Sequence, residues 1–84
     1  MKIEISDDTA RELAYMVELH QTHGAPNPMG SVERLVGFAL ATVADGSRRP
    51  GAWERQMLES MGLVADCAEH HQYRAHYGKL EGGQ

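Results

Sequence analysis

A chain of 84 residues with 42% hydrophobic content is one small domain with little buried area to spare. Its 12 acidic residues outnumber its 8 basic ones, giving a formal net charge of −4. That balance counts against a dedicated nucleic-acid binder, whose affinity comes from neutralising phosphates, unless a few cations are gathered on one face. No apolar run is long enough to span a bilayer, and no basic-then-apolar leader opens the chain. The single Cys67 cannot form an internal disulfide. These features lead to the expectation of a cytoplasmic protein.

Lys2-Ile3-Glu4-Ile5-Ser6 alternates polar and apolar residues, the period of a half-buried strand with Ile3 and Ile5 inward. No later segment offers it a partner, so the simplest mate is the same strand of a second copy. A homodimer joined by an antiparallel ribbon is the expectation. Ser6 or Asp7 can cap a first helix whose inner stripe is Ala10, Leu13, Ala14 and Val17, with Tyr15, Met16 and Leu19 on its flanks. His20 and His23 fall near its end, and Gly24, Pro26 and Pro28 close it.

The central helix reads from Ser31 to Asp45. Val32, Leu35, Val36, Ala39, Leu40 and Val43 form its apolar stripe, which Phe38 and Ala44 widen. Ser31 can cap it, and Asp45-Gly46 supplies the expected stop through a left-handed glycine. Pro50 can open a third helix that carries Trp53, Met57, Leu58 and Met61 on one side and ends at Gly62-Leu63. Asp66 and Glu69 resemble a capping box, which allows a short fourth helix to about Tyr77; an ordered extended segment is the alternative. Gly78 to Gln84 reads as a frayed tail.

The residues KIEIS, the helix DDTARELAYMVEL and the second-helix opening GSVERLVGFAL resemble the ribbon-helix-helix family of MetJ/Arc-type DNA-binding proteins over the N-terminal half. The resemblance implies a mainly α fold with one short N-terminal strand. Residues 1–46 would then form a ribbon-helix-helix-like dimerisation unit, and 47–84 a helical extension and flexible tail of the same domain. In that family the paired strands enter the major groove, and the N-terminus of the second helix holds a phosphate. Carried over, Lys2, Glu4 and Ser6 would read bases and Gly30 and Ser31 would sit at the phosphate, with Arg48 and Arg49 as supplementary backbone contacts. The plainer reading of the strand is a dimer contact with Lys2 and Glu4 paired across it, and that of Arg48-Arg49 is a solvated turn.

Cys67, His70, His71 and His76 lie within ten residues of one another, and His20 and His23 could join them. The second thiol usual for zinc is missing, so no metal or other cofactor is expected. Cys67 with a neighbouring histidine is the one candidate catalytic dyad. With no oxyanion element beside it, an enzyme is not expected.

Two functional readings stand. The first is a small homodimeric repressor or antitoxin-like regulator that reads DNA with the ribbon. The second is an acidic modulator of another protein, such as a phage-type, anti-CRISPR-like inhibitor that meets the basic groove of a host nucleic-acid-binding complex. For it Asp7, Asp8, Glu12, Glu18 and Glu33 would matter more than Lys2. Trp53, Met57 and Met61 read as core first and as a docking surface second.

Overall fold

Ser6 begins the regular structure. Its backbone is extended and its hydroxyl accepts from Thr9 N at 3.1 Å, which caps α1, Asp7–His23. In the computed structural model, which describes residues 1–78, two further α-helices follow: α2, Val32–Ser47, and α3, Trp53–Ser60. A single 3₁₀ turn, Glu69–His71, comes after them. The chain divides into two compact units, and the boundary between Ala39 and Leu40 lies inside α2.

The expected N-terminal strand, and with it the ribbon-helix-helix fold class, is corrected. Among the described residues there is no β-strand: the regular structure is helical throughout. Residues 1–6 are irregular, and Ile3 and Ile5 are exposed where the strand reading pointed them inward. Alternation is a property of five residues, but a strand also needs a hydrogen-bonded neighbour. The ribbon dimer was expected because that strand needed a mate, and this reason goes with the strand.

In the first unit the sequence signals act locally. Gly24 has φ 79° and its N–H returns to His20 O at 2.8 Å, so the expected glycine stop ends α1. His20 Nδ1 accepts from Met29 N at 3.1 Å, tying the proline-containing connection to the helix. Ser31 caps α2 as expected, its hydroxyl accepting from Arg34 N at 3.1 Å. The buried apolar side chains are Val17 on α1 and Leu35 on α2. Both belong to the expected inner stripes.

The second unit departs from expectation at three helix ends. Gly46 does not stop α2. It is buried inside the helix, where a Cβ would fall 2.4 Å from Glu54 Cβ. The glycine permits close approach to the start of α3 and is not a left-handed cap. Pro50 does not open α3. It lies in a turn closed by Ala52 N to Arg49 O at 2.9 Å, and the helix begins at Trp53.

The Gly62-Leu63 stop is as expected. Gly62 has φ 75°, its N–H reaches Glu59 O at 3.0 Å, and Leu63 N reaches Leu58 O at 2.9 Å, the double bond of a Schellman motif. The fourth helix reduces to the 3₁₀ turn Glu69–His71, with Ala68 and not Asp66 at its cap. The rest of the segment to Gly78 is irregular; apart from Gly78, the expected frayed tail lies outside the described residues.

Candidate functional site

A segment without helix or strand leaves its backbone carbonyls in need of donors. Arg48 supplies two of them, and Arg55 ties the end of α2 to the side chain of His71. Arg48, 7% exposed, follows the end of α2. Its Nη1 donates to Arg74 O at 3.2 Å and to Ala75 O, its Nη2 donates to Asp45, and its guanidinium lies 4.5 Å from the Tyr77 ring centroid. The backbone answers in kind, with Arg74 N donating to Arg48 O at 3.1 Å.

Arg55, on α3, is 0% exposed, the most completely buried large side chain among the described residues. Its Nη1 donates to Ser47 O at 3.2 Å and its Nη2 lies 3.3 Å from His71 Nδ1. That contact requires the unprotonated nitrogen of His71 to face the guanidinium. Arg55 Nε is 3.7 Å from Glu59 Oε1, close enough for charge attraction but too long for a hydrogen bond. The Nε atoms of both arginines are buried without a hydrogen-bond partner.

Asp45 binds this cluster from the carboxylate side. The hydrogen bond from Arg49, at 3.1 Å, holds its carboxyl below the ordinary aspartate range, and Arg48 adds to the effect. The same bond raises the pKa of Arg49. Arg74 donates onward to Gly78 O, so all four arginines of the second unit are engaged within it.

The candidate nucleic-acid contacts therefore sit in different settings. Arg48 is buried with both terminal nitrogens engaged, and Arg49 is exposed and paired with Asp45. Lys2 and Glu4 lie on the irregular exposed N-terminus, and Ser6 and Ser31 are helix caps. Gly30 is exposed, with its carbonyl 3.5 Å from Gln21 Nε2. Arg11 pairs with Asp8 at 3.3 Å, which leaves Lys2 and Arg34 as the cations without a partner among the described residues.

The cysteine and histidines do not converge. Among the described residues no three of His, Cys, Asp or Glu come together in a way that would hold a metal ion. Cys67 is exposed, His70 Nδ1 accepts from Ala65 N at 2.8 Å, and His71 faces Arg55. Nor is any helix of the described residues long and apolar enough to cross a membrane.

Many of the large apolar side chains are exposed. Trp53 is exposed two residues from buried Arg55, and Met61 and Leu63 are exposed with it. Successive helical residues turn by about 100°, so Arg55 and Trp53 point to nearly opposite sides of α3. On α1, Tyr15 and Leu19 are exposed on the side away from Val17, and Met16 is exposed on its flank.

Sequence reasoning missed Arg55, because a charged residue between Trp53 and Met57 reads as the polar side of an amphipathic helix. The signal available was indirect: a long stretch after α3 with no strong periodicity needs side-chain donors. Comparison with protein-family models, with curated proteins and with solved structures finds no match.

Proposed function

We propose that this chain is a non-catalytic, cytoplasmic module that acts by binding another protein, in the manner of an acidic modulator that occupies a partner's basic surface. One observation carries the reading: most of the large apolar side chains are exposed, while two arginines are buried. Arg48 and Arg55 face inward, while Tyr15, Met16, Phe38, Leu40, Trp53 and Met61 are exposed. Where exposed apolar side chains are contiguous they mark an interaction surface, and aromatic and methionine side chains are the ones enriched at interface cores.

The charge balance favours a protein over a nucleic acid as the partner. In the first unit six acidic residues (Glu4, Asp7, Asp8, Glu12, Glu18 and Glu33) stand against Lys2, Arg11 and Arg34, a net charge of −3. Polyanionic phosphate would meet repulsion there, whereas a lysine- and arginine-rich surface would be attracted and steered.

Capture from an extract of the source cell by the immobilised chain, with and without nuclease, tests the reading. The expected result is a protein retained after nuclease treatment and released by high salt. Capture that disappears with nuclease, or duplex DNA binding with a steep salt dependence, would contradict it.

A further inference from the structure

We infer that the outer face of α1 is a docking helix for an apolar groove rimmed by lysine and arginine on another protein; this assignment rests on the protein-binding reading above. Tyr15 and Leu19 are four residues apart and Met16 and Leu19 three, so the three side chains are neighbours on the helix surface. Their exposures are 54%, 44% and 38%. Buried Val17 lies across the helix from Tyr15 and Leu19, so these two form a second apolar face, and Met16 lies between it and the inner stripe.

Acids surround the ridge. Glu12 continues it toward the N-terminus, one turn before Tyr15 and Met16, and Glu18 flanks it one turn after Tyr15. The one cation of this face, Arg11, is paired with Asp8. An apolar helix ridge set between carboxylates is complementary to a groove with apolar walls and a cationic rim, read through anchors at i, i+1 and i+4.

A second copy of the chain fits less well. The exposed parts of the three side chains offer roughly 300 Å² per copy, against about 800 Å² per partner in a stable complex. Two convex helices touch along the ridge alone, while a groove also covers the flanks that carry Glu12 and Glu18.

The test uses the isotope-labelled full chain and, as the probe, a synthetic Leu/Lys peptide of two helices joined as a hairpin, whose facing helices form an apolar groove rimmed by lysine, with its Leu/Glu counterpart as control. Amide shifts induced by the Leu/Lys peptide are expected to centre on residues 12–23. The double variant Tyr15→Ala, Leu19→Ala should bind roughly tenfold or more weakly with unchanged helix content, since both side chains are exposed. Glu12→Lys with Glu18→Lys should weaken the Leu/Lys peptide and admit the Leu/Glu one.

Shifts centred on α3 around Trp53 would overturn the assignment to α1 while leaving the protein-binding reading standing. Equal binding of both peptides, or no binding at all, would overturn the assignment as well, and the capture experiment then decides the broader reading on its own. A concentration-dependent doubling of mass in sedimentation, abolished by the double alanine variant, would make a second copy the occupant and overturn it too.

Discussion

The two units of this chain solve the same problem with opposite materials. In the first, apolar side chains are buried, hydroxyls cap the helices and a left-handed glycine ends α1. In the second, the buried side chains among the described residues are arginines, of which Arg55 is fully buried, and the helix that carries it turns a tryptophan outward. Burying apolar surface stabilises without regard to direction, whereas burying a guanidinium is favourable only where its donors meet acceptors. The first unit can therefore tolerate small shifts in packing, and the second depends on particular carbonyls being in place.

The largest expected effect breaks the second unit alone. Arg55→Met removes the donors to Ser47 O and His71 and should lower stability by about 2–4 kcal/mol, read as a loss of amide protection from Leu40 onward with α1 still protected. An unchanged urea midpoint would mean that the buried guanidinium does not organise the unit. Gly46→Ala comes next: a Cβ at 2.4 Å from Glu54 Cβ forces α2 and α3 apart, at about 1–3 kcal/mol. In the first unit Val17→Ala should cost about 2 kcal/mol through lost apolar burial, with Arg74 and Ala75 still held in the second.

The caps sharpen the contrast at a smaller scale. Ser6→Ala should destabilise α1 by about 1 kcal/mol, while Ala52→Ser, at an extended N-cap that has no side-chain bond, should stabilise α3 by about 0.5–1 kcal/mol. Thermal melts of the two variants should move in opposite directions.

The smallest effect is acid dependence. The carboxyl of Asp45 is held below its ordinary pKa in the folded state, so its contribution is complete above the unfolded aspartate value near 3.8 and is lost as pH falls through the lowered one. Asp45→Asn should flatten that part of the acid unfolding curve of the second unit; an identical curve would remove Asp45 from the cluster.

How much of this was legible in the sequence follows the same division. Ser6, Gly24, Ser31 and Gly62 act on their own turns, and a sequence reader sees turns. The strand over residues 2–6 was misread because alternation is local but pairing is not. Gly46 was misread because a close approach by Glu54 leaves no mark beside the glycine itself. Arg48 and Arg55 act over long separations, Arg48 on Arg74 and Ala75 and Arg55 on His71. Read singly, Arg48 is a surface cation in a turn and Arg55 the polar side of a helix.

Hydrogen exchange at the arginine side chains puts the buried guanidinium groups directly to the test. The Nε–H groups of Arg48 and Arg55 are shielded by burial, not by a hydrogen bond. They should exchange with solvent far more slowly than those of exposed Arg11 and Arg34. If all the arginines exchange alike, the second unit is not built around buried guanidinium groups, and the account of what holds it together does not stand.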